Sequence, residues 1–383
     1  MSPLLLLLLL QAHAQRMPVE APPPDRLGVQ GAGQGYLLFD VVFHEQLNKQ
    51  RRALMFFLDL AIKTKRTLVL PRGRLLRRTD SYGGFDPKAE FVRMSELLNM
   101  SALEKLHPVM DLEDFLENGE KWVAQHTSMG SRGCQKNDEP VAFEFNGLAA
   151  RAKKLTCEPH LAHQLPAMLN LKHVESIAFS QSVNQMHPSM AIQLRPWVRF
   201  EQGVYDEAAA FVAQTFGTEP FLAIHWRRTD FLKVRRSQPG VLQSAQDMVK
   251  HARTVMEQHG VKRVYLATDS NDESELAYVN AELRPARRGT PAGAEQSLRA
   301  RAVHANVEIA ICGMADYFLG TQTSSFTLAI TEERQAVFGH AAGTGAEMGG
   351  TFWDFQRSTS IVSERSTRQP DQRLAPMGFK DEL

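Results

Sequence analysis

The 383-residue chain sets 44 Lys and Arg against 43 Asp and Glu, is 43% hydrophobic and carries a formal net charge of +1. Such a length permits two domains with full hydrophobic cores, and the near-zero balance leaves no electrostatic footprint for a nucleic-acid partner. The basic clusters from Arg72 to Arg78 and from Arg284 to Arg288 read as solvated faces or loops.

Residues 1–14 read as a secretory signal peptide. Leu4 to Leu10 form its apolar core, and Ala12-His13-Ala14 supplies the small-x-small cleavage pattern. The run is too short to cross a bilayer, so no membrane span is expected. Residues 15–34 hold a Pro-rich tract, Pro18 to Pro24, that is too stiff and polar to pack and reads as a tail. A second tail, 361–383, closes on Lys380-Asp381-Glu382-Leu383, the signal bound by the KDEL receptor. Both addresses name the lumen of the endoplasmic reticulum. In that oxidising compartment Cys134 and Cys157 are candidates for a disulfide whose loop closure contributes about 3 to 4 kcal/mol, other pairings staying open. Cys312, in an apolar helical pattern, reads as a buried free thiol. Asn99-Met100-Ser101 is an N-glycosylation sequon.

Between the tails the pattern alternates strands and helices. Tyr36 to Val41 is a strand, the loop around Phe43 to Asn48 leads to an amphipathic helix through about Lys65, and Thr67 to Pro71 is the next strand, completing a βαβ unit. Arg72 to Pro196 is the least legible part, with short helical segments such as Met110 to Glu120. Alternation returns with a helix from Tyr205 to about Phe216, a strand from Phe221 to Arg227, a helix from Val241 to His259 and the strand Arg263 to Thr268. A loop to about Glu295, a helix to about Met314, the strand Tyr317 to Gly320 and a helix from near Ser324 complete the series. The expectation is an α/β chain of two Rossmann-like domains, 35–197 and 198–360, facing a cleft.

The candidate chemistry sits at strand ends, where open α/β sheets bind ligands. Phe221 to Trp226 is a buried apolar run that abruptly delivers His225, Arg227, Arg228 and Asp230. Alternation puts His225 and Arg227 on one face and Trp226 and Arg228 on the other, so Arg227 is the candidate ligand-binding arginine and Arg228 a structural one. The alternative is that both arginines pair with carboxylates such as Asp230. Asp269 closes the next strand, to meet a ligand or to cap a helix. Gly320 to Phe326 offers hydroxyls and backbone N–H groups at a helix start, either an anion site or an ordinary Ser N-cap. It lacks the Lys and Gly spacing of a Walker loop. Glu45 stands in the corresponding loop of the first domain. No Asp-x-Asp pair or His/Cys set has the spacing of a metal site, so metal-independent chemistry is expected.

Four ordered blocks resemble the GDP-fucose protein O-fucosyltransferases, and most of all the members that modify thrombospondin type 1 repeats. They are Tyr36 to Val41 with Glu45 and Asn48-x-x-Arg51-Arg52, then His225-x-Arg227-Arg228-x-Asp230-Phe231, Val264 to Asp269, and Phe318 to Thr321 continuing through Ser324-Ser325-Phe326 to Glu332-Glu333-Arg334. The resemblance implies a GT-B type glycosyltransferase with no cofactor, GDP-fucose as donor and folded, disulfide-bonded repeats as acceptors. It implies that Glu45 is the catalytic base and that Arg227 stabilises the departing diphosphate during inverting transfer. Gln46, Leu47, Asn48, His225, Arg227, Asp269, Glu308, Ser324, Ser325 and Phe326 are the implied donor-binding set. Gln46 replaces the Gly of relatives, Glu308 replaces an Asp, and the C-terminal cysteine pair gives way to Gly339 to Gly350. The alternatives are a related transferase with another acceptor or sugar, or a catalytically silent fold sensor.

Overall fold

The computed structural model describes residues 16–23, 35–41, 46–75, 90–117, 122–123, 125–128, 141–145, 148–152, 155–156, 161–182, 186, 188–235, 241–289, 297–340 and 345–348. The chain divides into two compact units, the first built from residues up to 219 with 287–314 and 328–339, the second from 220–286, 315–327 and the residues after 339. No helix among the described residues is long and apolar enough to cross a membrane.

The first unit is organised on a parallel sheet of β1 (Tyr36–Val41), β2 (Thr67–Leu70), β3 (Val109–Asp111), β4 (Gln125–Ser128), β5 (Leu155–Thr156) and β6 (Ser176–Ser182), in the order β5-β4-β6-β1-β2-β3. Helix α1 (Leu47–Thr64) makes the crossover from β1 to β2, the βαβ unit read from the sequence. Leu54, Phe57, Leu58 and Ala61 of α1 pack on Leu37, Phe39 and Leu68, and Phe39 stacks on Phe57 at 4.4 Å. Lys65 closes α1 in the left-handed region at φ 55°, its N–H bonding the carbonyls of Ala61 and Ile62. The segment Met110 to Glu120 differs from expectation. Val109–Asp111 is an edge strand beside β2, and the helix covers only Leu112–Glu117.

Helices α2 (Gln202–Phe216) and α5 (Leu298–Met314) belong to the same unit. Here a buried polar cluster lies alongside the apolar packing. Arg195 pairs with Glu333, both withdrawn from solvent, and the Tyr205 hydroxyl donates to Glu333 Oε1 at 2.6 Å. The basic clusters are not uniformly solvated either. Arg72 pairs with Glu113 at 3.0 Å, Arg74 is buried with its backbone held by Gln50, and Arg288 is bonded to Glu207 and His304. Partners distant in sequence draw these cations inward. Cys312 is a buried free thiol, as expected.

The second unit carries β7 (Phe221–Trp226), β8 (Arg263–Thr268), β9 (Tyr317–Thr321) and β10 (Gly345–Met348), all parallel in the order β8-β7-β9-β10. β7 is buried throughout, which explains its unbroken apolar run. Helix α3 (Ala245–His259) starts later than the periodicity suggests because Ser244 caps it, accepting from the Asp247 N–H at 3.1 Å. The stretch read as a loop contains helix α4 (Glu273–Leu283). Asp272 caps it through the N–H groups of Ser274 and Glu275, so the Asn271-Asp272 signal marks a helix start rather than a loop. Helix α6 (Ser325–Ala336) begins in this unit.

Candidate functional site

At the carboxyl end of β7 in the second unit, alternation separates the polar groups as expected. On one face His225 is 4% exposed, its Nδ1 lies 2.7 Å from Thr327 Oγ1, and its ring stacks on Phe326 at 4.7 Å. Burial and the nearby Arg227 push its pKa down to about 3, so the imidazole is neutral at physiological pH. On the other face Arg228 lies over the Trp226 ring at 4.9 Å, pairs with Glu275 and donates to the Gln243 carbonyl at 3.1 Å. Arg228 is therefore structural.

Arg227 is held at its edges. Its Nε donates to Asp230 Oδ1 at 3.0 Å, Nη2 lies 2.9 Å from the same oxygen, and Nη1 lies 3.1 Å from Asp269 Oδ2. Asp269 is itself anchored, accepting from the Arg228 backbone N–H at 2.6 Å and from the Thr229 hydroxyl. Both arginines thus pair with carboxylates, while the Arg227 side chain stays about one-fifth exposed.

Thr321 ties β9 to this strand end. Its hydroxyl donates to the His225 carbonyl at 3.0 Å and accepts from the Arg227 N–H at 2.9 Å. The chain then turns through Thr323, which adopts a left-handed φ of 63°, into the buried Ser324. Ser324 Oγ accepts from the Phe326 N–H at 3.3 Å, making it the N-cap of α6. Ser325 and Phe326 form the first turn, and Thr327 reaches back to His225. Gly320 makes room for that reach, since a Cβ there would overlap Thr327 Cγ2 and lie 2.9 Å from Thr327 Oγ1. The cluster joins a guanidinium, a neutral imidazole and the positive end of a helix, a combination suited to a diphosphate.

In the first unit Gln46 is the exposed residue before α1, with no side-chain cap, and Leu47 and Asn48 are the first helical residues. Leu47 and Asn48 line a cavity of about 20 Å³ with Arg51, Phe200 and Asn306. Glu308 is on α5, 4.0 Å from His304 Nε2. Glu45, Cys134 and Cys157 lie outside the described residues. Asn99 of the sequon is partly exposed and caps the helix Met100–Leu106 through the Ala102 N–H at 3.0 Å. Among the described residues no group of three or more His, Cys, Asp or Glu side chains is placed to hold a metal ion.

Sequence reasoning counted Thr321 among the strand-end hydroxyls of a candidate anion site or cap, but gave no packing role to Gly320 and no role to Thr327. Thr327 falls within the helical pattern of α6 and carries no such signal.

The defining sequence pattern of the GDP-fucose protein O-fucosyltransferases matches residues 36–337. GDP-fucose protein O-fucosyltransferase 2 of Caenorhabditis elegans is 36% identical over 125 residues, 31% of this chain and 27% of that protein. The Homo sapiens protein of the same name is 32% identical over 118 residues, 30% of this chain and 26% of its own length. Each match therefore spans about a quarter of the relative. A crystal structure of POFUT1 in complex with GDP-fucose superposes with a TM-score of 0.62 at 16% identity, covering 84% of this chain and 100% of that one. That likeness is one of fold, the GT-B type that the sequence resemblance implies.

Proposed function

The chain belongs to the GDP-fucose protein O-fucosyltransferase family, and on that premise we infer that it moves fucose from GDP-fucose onto Ser or Thr hydroxyls of folded thrombospondin type 1 repeats. The observation that carries the reading is the convergence of Arg227, His225 and the Ser324-capped start of α6 at the ends of β7 and β9. An anionic leaving group finds fixed positive charge there and needs little reorganisation to be met.

In the proposed reaction Glu45 takes the proton of the acceptor hydroxyl. The oxygen attacks the anomeric carbon from the face opposite GDP, the bond to the β-phosphate oxygen breaks, and GDP leaves with the electron pair, so the configuration inverts. Arg227 and the N–H groups that open α6 offset the charge on GDP, the part a divalent metal plays in other transferases. Asp230 and Asp269 fix the plane of the guanidinium, and the neutral His225 adds hydrogen bonding without a second cation. Gln46, Leu47 and Asn48 stand beside Glu45 in sequence, toward the sugar, and Glu308 serves the nucleoside. The apolar leader and the KDEL ending support a lumenal enzyme recovered by its receptor.

The test is incubation of the purified chain with GDP-fucose and a folded thrombospondin type 1 repeat, read by mass spectrometry. The repeat is expected to gain one fucose. A preparation that binds GDP yet leaves such repeats unmodified turns the reading toward another acceptor or sugar, or toward a silent binding protein.

A further inference from the structure

Within the buried polar cluster of the first unit, Arg51 and Arg199 have no ion pair of their own among the described residues, and Arg199 at least donates to the Pro196 carbonyl. Glu333 already has Arg195, and Glu332 has Arg52 at 3.6 Å. Arg51 is only 5% exposed, its plane lies over the Phe200 ring at 4.7 Å, and its Nε and Nη1 have no hydrogen-bond partner. Burial and the like charge of Arg195 lower its pKa to about 10, which leaves it charged at neutral pH. A buried cation with open donors is costly to maintain and calls for an explanation.

The start of α1 supplies an independent pointer. This helix of 18 residues has no side-chain cap on Gln46 and no acidic residue in its first turn, so no carboxylate among the described residues of its own sequence answers the positive end of its dipole. Leu47 and Asn48 of that first turn line the same cavity as Arg51, together with Asn306. The Gln50 carboxamide is taken by the backbone of Arg74. At about 20 Å³ the cavity has room for about one particle of water or halide size. A water would satisfy donors but add no negative charge to the shared Glu332 and Glu333 carboxylates that act on Arg51.

We propose that this cavity binds one chloride-sized monovalent anion, held by the Arg51 guanidinium, the carboxamide N–H groups of Asn48 and Asn306 and the opening turn of α1. The ion offsets the Arg51 charge and fixes the first turn of α1, which carries Asn48. The inference does not depend on the transferase reading, because its test involves no turnover.

Thermal melting of the full chain is compared in sodium chloride, bromide and gluconate at equal ionic strength. The halides are expected to raise the melting temperature saturably by a few degrees over gluconate. Arg51→Met, whose side chain still packs on Phe200, is expected to melt alike in all three. Equal melting of the unsubstituted chain in chloride and gluconate overturns the proposal. Crystals grown in bromide give a readout that needs no variant: an anomalous peak beside Arg51 is expected, and water alone in the cavity overturns the proposal equally.

Discussion

Arg227 points Nη1 at Asp269 Oδ2, 3.1 Å away, while the other oxygen of that carboxylate accepts the Arg228 backbone N–H at 2.6 Å. The guanidinium is thereby fixed by a group that is itself fixed to the strand end. On the proposed reading, a diphosphate would meet an oriented cation and compete with carboxylates for it.

This arrangement separates binding from chemistry. Arg227→Ala is expected to weaken GDP binding by at least about 30-fold, the scale of losing one partner of a close charge pair, and to abolish transfer. Glu45→Gln, by contrast, should leave GDP affinity within about 2-fold, since a base for the acceptor makes no differential contact with the leaving group. Asp230→Asn relieves part of the competition and should tighten GDP binding by about 2- to 5-fold. Calorimetric titration with GDP, alongside a transfer assay, reads all three.

His225 makes stability pH-dependent. Its folded pKa, about 3, lies below the ordinary histidine value, so between about pH 6.5 and 3 the unfolded chain binds a proton that the folded chain refuses. Its contribution is complete above about pH 6.5 and is lost as the pH falls, at about 1.4 kcal/mol per unit. His107, His251 and His304 have lowered values as well, so the informative quantity is a difference. Urea denaturation at pH 7 and 5 should show His225→Gln losing about 2 kcal/mol less on acidification than the unsubstituted chain. Equal losses would mean that this imidazole is free to protonate in the folded state.

Gly320 and Thr327 should behave as one packing unit. The absent Cβ at 320 is the space that Thr327 uses to reach His225. Gly320→Ala is expected to destabilise by about 1 to 3 kcal/mol through overpacking and to displace the His225 contact. Combining it with Thr327→Ala should cost less than the two single changes summed, because the clash loses its second partner. A thermodynamic cycle from chemical denaturation measures that coupling.

In the first unit, removal of the Glu333 carboxylate should be severe. Arg195 and Glu333 are fully buried and Tyr205 donates to the same carboxylate. Glu333→Ala leaves a buried guanidinium without its partner and is expected to cost about 3 to 5 kcal/mol. Tyr205→Phe, which removes one hydrogen bond to a charged acceptor, should cost about 1.5 to 3 kcal/mol. Denaturation midpoints at constant urea slope provide the check.

Much of the strand-end site was legible because its chemistry and its periodicity coincide. β7 is buried along its whole length, so an apolar run ending abruptly in His, Arg and Arg could be read directly, and alternation alone separated Arg227 from Arg228. The fates of other charges were hidden. Arg51, Arg74 and Arg195 look like ordinary surface residues in a helix or a loop, and only partners far along the chain draw them inside. Helix α4 was missed because its Asp272 cap carries the same residues as a turn. The strands Val141–Phe145 and Leu148–Ala152 pair antiparallel with each other, though the Asn146-Gly147 dipeptide between them, a hairpin signal in the sequence, was passed over among the cysteine-bearing loops.

The discontinuity of the first unit has a consequence for biogenesis. Residues 328–339 belong to it as much as the opening strands do, so a ribosome that has emitted its large amino-terminal part still withholds the anion that Arg195 requires. Until Glu333 emerges, that guanidinium sits in a half-made interior, and a nascent chain paused there depends on a holding factor or on delayed collapse. Chains arrested before and after residue 339 should therefore differ sharply in protease resistance across their shared amino-terminal portion, with commitment to the native state arriving late in synthesis.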